Sequence, residues 1–201
     1  MTNPFEYLYP EVYRRNEGVS YTQVPLPSYI SGELYLGPVP CRYESREVFE
    51  AWAARKNITD VACLLSNHDI LERSPEYPYV INNPNKKWRH RQFPVPDFGI
   101  PFDREEYLKF ACSIAIGIKE GKITLVHCGA GIGRTGCLSI VVLLLLGFSL
   151  EEAKNMTHHA GGSPENEKQW ELIHWCQNKI EEAGGPDALL NQYQIAEEHH
   201  E

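Results

Sequence analysis

The chain has 201 residues, 42% of them hydrophobic and 23% charged. That is enough for one globular domain, with or without an arm, and it excludes a chain dominated by disorder. Its 19 basic and 27 acidic residues leave a net charge of −8, which excludes general nucleic-acid binding and bulk attraction to an anionic membrane. Any anionic ligand must therefore be drawn by a local site working against the overall field.

In chain order, residues 1–29 are rich in Tyr and Pro and read as an N-terminal arm packed on the body through its aromatic rings. Pro4, Glu6, Pro10, Arg14 and Arg15 interrupt any apolar core of a signal peptide, and Thr2 does not fit myristoylation, so a cytoplasmic chain is expected. Ile30 to Gly37 suggests a strand. Ser45 is placed to cap a helix running to about Lys56, because its hydroxyl can accept from an unpaired first-turn amide. Asp60 to Leu65 is a short apolar run of buried-strand type, and a short helix is expected near Ile70. Lys87 to Phe93 suggests another strand, followed by the proline-rich loop Pro94 to Pro101.

Asp103 suits the N-cap of the next helix, whose Tyr107, Phe110, Ala111, Ile114 and Ile118 share one face and which Gly121 ends. Ile123 to Val126 reads as a strand leading into His127 and Cys128, then a glycine-rich turn and a helix from about Thr135 to Leu146. The apolar run Ile140 to Leu146 is too short to span a bilayer and reads as a buried helix. Ser149 and Glu152 form a capping box. Ser163-Pro164 is expected to open a long helix closed by Gly184, and residues 186–198 form a last helix. This alternation predicts an α/β fold: a central mixed, mainly parallel sheet of about four or five strands flanked by helices, with a helical C-terminal half.

Six cysteines (Cys41, Cys63, Cys112, Cys128, Cys137 and Cys176) form no CxxC pair and fit no zinc spacing. Free thiols and no metal site are expected.

The chemistry concentrates in residues 127–136, His-Cys-Gly-Ala-Gly-Ile-Gly-Arg-Thr-Gly. Three glycines between a strand and a helix let the backbone curl until successive N–H groups point inward. The helix N-terminus adds partial positive charge, so the loop forms an anion cradle with a thiol at its base. The helix end and Arg134 both favour the thiolate form of Cys128, and the Arg134 fork can bind two oxygens of a tetrahedral oxyanion. Gly129, Ala130, Gly131, Ile132 and Gly133 would supply the phosphate-binding amides.

This segment resembles the HCx5R[ST] signature of the cysteine-dependent protein tyrosine phosphatases. The resemblance covers roughly residues 30–180. It implies the phosphatase fold, a catalytic domain over 30–183 with a helical tail at 184–201, a phosphocysteine intermediate on Cys128, and no cofactor. It also implies that Thr135 helps the sulfur leave and that His127 orients the loop. A proton donor is needed for the leaving oxygen. Val95-Pro96-Asp97 resembles the family's Trp-Pro-Asp acid loop, with Val for Trp as in compact dual-specificity members, which assigns the donor to Asp97. The stretch Ser163 to Trp170 resembles the one where the family holds the hydrolytic water by an amide. Gln169 fits best and Asn166 second, while Glu165 occupies a position where another Gln is expected.

Lys86, Lys87, Arg89 and Arg91 form a basic cluster that reads first as a solvated strand edge protected by charge, and second as a patch that recruits a phosphoprotein or a more highly charged ligand. Family members acting on phosphoinositides tend to carry basic residues inside the loop, whereas Gly129, Ala130 and Ile132 are uncharged and the loop resembles the tyrosine-type one. The resemblance thus implies phosphotyrosine, with phosphoserine and phosphothreonine in reach, ahead of phosphoinositides or inositol phosphates. An inactive phospho-binding module is the alternative from another class. A monomer without stable membrane association is expected. Cys63 or Cys137 would be the partner if Cys128 formed a reversible disulfide.

Overall fold

The structure, a computed structural model, describes residues 19–198, with side chains described to residue 194. Five strands, β1 (Thr22–Gln23), β2 (Glu33–Pro38), β3 (Asp60–Cys63), β4 (Arg89–Gln92) and β5 (Ile123–Cys128), form one sheet in the order β1-β2-β5-β3-β4. β1 pairs antiparallel with β2 and every other pair is parallel, so the sheet is mixed and mainly parallel, as expected. Eight helices are described: α1 (Arg46–Arg55), α2 (Asn67–Arg73), α3 (Tyr77–Ile81), α4 (Arg104–Lys119), α5 (Gly133–Leu145), α6 (Leu150–His159), α7 (Glu167–Glu182) and α8 (Pro186–Glu198).

Parallel pairing requires crossovers, and the helices supply them. One consequence positions the site. The C-terminal ends of β3, β4 and β5 leave the sheet on the same side, so the segments following Cys63, Gln92 and Cys128 converge there.

The helix starts follow their caps. Ser45, Asp103, Ser149 and Asn166 each accept from a first-turn amide with a side-chain oxygen, a contact worth about 1 kcal/mol. Ser149 and Glu152 complete the expected capping box, and Ser66 with Asp69 forms a second one. The long C-terminal helix differs from expectation at its start: it begins after Asn166, not at Ser163-Pro164. The Ser163 N–H is spent on the Ile132 carbonyl at 3.2 Å, so 163–166 stays extended against the start of α5.

Every residue of α5 is buried, and it packs among α4, α6 and α7 on one sheet face. The opposite face holds an aromatic cluster, with the Tyr21 and Trp52 rings 4.4 Å apart and Phe49 and Trp88 6.1 Å apart. Of the expected arm, residues 1–18 lie outside the described residues. Val19, Tyr21 and Val24 are buried in the body, and Tyr21 donates to the Glu44 carboxylate. At the other end Leu189 and Leu190 of α8 belong to the same core. Neither β1 nor α3 was legible in the sequence, because both are short and owe their form to tertiary contacts.

Candidate active site

β5 delivers Cys128 to the sheet's C-terminal edge, level with Pro38 of β2. Its side chain is buried, and the Gly131 N–H points at its sulfur at 3.3 Å. The loop that follows turns its carbonyls outward. The Gly129 oxygen accepts from Arg42 Nη1 at 2.6 Å, and the Ile132 oxygen accepts from the Gly136 and Ser163 amides. Gly131 has φ +80°, and a Cβ there would collide with the Gly37 carbonyl carbon, so only glycine fits. Among the described residues, the N–H groups of Gly129, Ala130 and Ile132 donate to no protein acceptor. With the N-terminus of α5 at Gly133, this is a preorganised ring of donors around a sulfur.

Arg134 is buried and binds the acid loop with both guanidinium nitrogens: Nη1 donates to the Val95 carbonyl at 2.9 Å and Nη2 to Asp97 Oδ1 at 2.7 Å. Asp97 Oδ2 accepts from Arg73 Nη2 at 2.8 Å. The carboxyl group is thus clamped between two arginines on the phosphate-loop side of the chain, with 41% of its side chain still open to solvent. Arg73 was missed by sequence reasoning. It lies on α2, and its side chain is packed so closely on Gly129 that a Cβ there would stand 3.1 Å from its Cδ.

Asn166 and Gln169 are both at the site, and both hold the acid loop. Asn166 Nδ2 donates to the Phe98 carbonyl at 2.9 Å, and Gln169 Nε2 to the Gly99 carbonyl at 3.4 Å. Gln169 Oε1 accepts from the Glu165 N–H at 2.7 Å, which leaves that buried amide engaged with backbone on both sides. Phe98, beside Asp97, has φ +51° and an exposed ring. A left-handed phenylalanine costs about 1–3 kcal/mol and marks a backbone held by its neighbours.

His127 is fully buried, with Nε2 3.0 Å from the Tyr77 hydroxyl. Burial pushes its pKa down to about 3, so the ring is neutral and braces the loop by a hydrogen bond. Tyr77, its partner from α3, was also missed. Thr135 is fully buried and its hydroxyl makes no hydrogen bond, an arrangement that ordinarily costs about 1–3 kcal/mol. Burial pushes the Cys63 thiol up to about 12 and the Cys137 thiol further, so both are held as neutral thiols near Cys128.

The basic cluster is not brought to this place. Arg89 stands level with Asp60 and Thr124, near the start of β5, whereas Cys128 ends that strand, a separation of about 13 Å at the strand rise. Arg91 is engaged by Asp60 at 3.3 Å and by Ser113 at 2.8 Å. Lys86 lies over the Trp88 ring.

Residues 45–179 match the sequence model of the Swiss Army Knife protein phosphatases, the DSP-PTPase phosphatase domain. The chain belongs to this family, a dual-specificity-like branch of the cysteine-dependent protein tyrosine phosphatase superfamily. Solved structures share its fold. A kinase-associated phosphatase with serine in place of its catalytic-site cysteine aligns with a TM-score of 0.69 at 18% identity, over 80% of this chain and 95% of that one. PTPMT1 in complex with PI(5)P aligns with a TM-score of 0.61 at 16% identity, over 83% of this chain and 100% of that one. The human tyrosine phosphatase-like serine/threonine/tyrosine-interacting protein aligns at 0.52 and 18%, over 76% and 93%. Among the described residues no helix is long and apolar enough to cross a membrane.

Proposed function

We propose that this phosphatase domain hydrolyses phosphotyrosine monoesters, with phosphoserine and phosphothreonine as further substrates, through a phosphocysteine on Cys128. The observation that carries this reading is the Arg73–Asp97–Arg134 clamp, which holds a carboxyl group beside a donor ring that has a thiol at its base.

In the first step the Cys128 sulfur attacks phosphorus in line with the ester oxygen. The free loop amides of Gly129, Ala130 and Ile132 and the Arg134 guanidinium, which exchanges its Val95 and Asp97 contacts for phosphate oxygens, carry the charge of the equatorial oxygens. Asp97, released from Arg134 as the phosphoryl group takes that guanidinium, is the group that delivers a proton to the leaving phenol or alcohol oxygen. In the second step the Asp97 carboxylate takes a proton from water as that water attacks phosphorus, and the S–P bond breaks. The unpartnered Thr135 hydroxyl then donates to the departing sulfur, which accounts for its buried, unsatisfied state. Asn166 and Gln169 act through the acid loop, whose Phe98 and Gly99 carbonyls they hold.

An inositol-phosphate reading has one observation in its favour. Arg42 and Arg73 both flank Gly129, outside the signature loop, where a second phosphate would find them; the PTPMT1 structure contains PI(5)P. An inactive binding module is disfavoured by the presence of Cys128, Arg134 and Asp97 together. A panel of phosphopeptides and inositol phosphates separates the two active readings. Higher kcat/KM on phosphotyrosine peptides supports the first, and preference for inositol phosphates overturns it.

A further inference from the structure

Glu165 is a charged side chain at the site that the steps above do not use. The segment 163–166 lies extended against the start of α5, with the Ser163 N–H on the Ile132 carbonyl and the Glu165 N–H on Gln169 Oε1. Its carboxylate is thereby laid over Gly133. A Cβ on Gly133 would collide with Glu165 Oε2, so the carboxylate lies directly against the bare Cα. Gly133 thus serves two ends: its bare Cα admits the carboxylate, and its amide, the last before Arg134, belongs to the donor ring that would receive a phosphoryl oxygen.

We propose that Glu165 is a specificity-determining residue of the phosphate cradle: its carboxylate lies against Gly133 and sets a negative charge at the rim, so that doubly charged oxyanions are penalised more than singly charged ones. The inference rests on the phosphomonoester reading for its substrate class, since it concerns which anions the same cradle accepts. The rim is polarised as a result. Arg42 and Arg73 stand on the Gly129 side and Glu165 on the Gly133 side. A substrate with additional negative charge is therefore oriented with that charge toward the arginines.

The groups that face Glu165 are Asp97 from the acid loop and Arg134 and Cys137 from α5, with Gln169 from α7 on its backbone. Burial first, and then the Asp97 charge, pushes the Glu165 carboxyl up, while Arg134 opposes the shift. The penalty is consequently largest where Glu165 is ionised and is lost as pH falls through its raised pKa.

The test compares sulfate, a dianion, with methyl sulfate, a monoanion, by amide NMR titration in the Cys128→Ser protein, with and without Glu165→Gln. Neither probe changes charge between pH 5 and 8, and the serine background removes the nucleophile. At pH 7 the Glu165→Gln protein is expected to bind sulfate about tenfold more tightly and methyl sulfate about threefold more tightly, as a charge-proportional repulsion requires. Both gaps are expected to narrow as pH falls, the direction that protonation of Glu165 requires. Glu165→Ala, measured alongside, is expected to shift both constants in the same direction. Unchanged constants in both variants, or equal gains for the two probes, overturn the inference. Because binding is read without turnover, a native chain that hydrolyses no monoester would sink the phosphatase reading and leave this comparison intact.

Discussion

At the scale of single residues, the site depends on how one carboxyl group is held. Asp97 is a half-exposed loop residue, and a lone loop aspartate would sample many positions. Arg134 and Arg73 fix it from opposite oxygens at 2.7 and 2.8 Å. Arg73 touches the acid and not the reacting atoms, so it is a positioning residue. Arg73→Ala is expected to lower kcat about tenfold, less than loss of the acid itself, while KM for p-nitrophenyl phosphate changes little. Arg73→Lys should recover part of kcat by restoring a cation; an unaltered kcat in Arg73→Ala would remove the clamp from the account. His127 supplies a pH prediction. Its folded pKa near 3 lies below the ordinary histidine value of about 6.5, so between these limits the unfolded chain binds a proton that the folded chain does not. Stability therefore rises with pH across that window and falls as pH drops through it. Urea denaturation at pH 4.5 and 7 should show this slope, and His127→Asn should make it shallower. Cys128 and Arg134 were legible because they share one short loop pattern, and Asp97 because its loop resembles the family's acid loop; the structure brings Asp97 against Arg134. Arg73, Arg42, Tyr77 and the Glu165 carboxylate contact were not, because only the folded chain brings them together: Arg73 precedes Asp97 by 24 positions and Tyr77 precedes His127 by 50.

At the scale of elements, three segments meet at one edge of the sheet: the phosphate loop after β5, the acid loop after β4 and the extended stretch before α7. Their mutual contacts are mostly side chain to backbone, so small backbone changes are costly. Gly131 is the sharpest case, with positive φ and no room for a Cβ beside Gly37. Gly131→Ala is expected to abolish turnover while far-UV circular dichroism stays native; retention of more than about a tenth of wild-type kcat would contradict the required close approach. Helix existence was readable here from apolar spacing and caps, as in α4 and α6. The start of α7 was not, because Ser163-Pro164 is a sound local start signal that loses to the contact between Ser163 and Ile132. β1 and α3 lack any periodic pattern; each is placed by the aromatic cluster, in which Tyr21, just before β1, meets Trp52, and Tyr77 of α3 meets Phe49.

At the scale of the whole molecule, the net charge of −8 and a phosphate ligand are compatible because the attraction is confined to one edge. Backbone donors, the α5 N-terminus, Arg134, Arg73 and Arg42 gather there, while Lys86, Lys87 and Arg89 lie toward the other end of the sheet. Joint substitution of Lys86, Lys87 and Arg89 by Gln is expected to leave kcat/KM for p-nitrophenyl phosphate within about twofold, because charges that far from the cradle are screened. A drop confined to a phosphoprotein substrate would assign the cluster to recruitment, and a drop on the small ester would contradict its remote position. The central claim, that Cys128 carries the phosphoryl group without help from a metal, is tested most directly by p-nitrophenyl phosphate turnover in excess EDTA, measured on the native chain and on Cys128→Ser. The account predicts turnover by the first and none by the second with its fold intact; full activity in Cys128→Ser, or activity lost to EDTA, would contradict it.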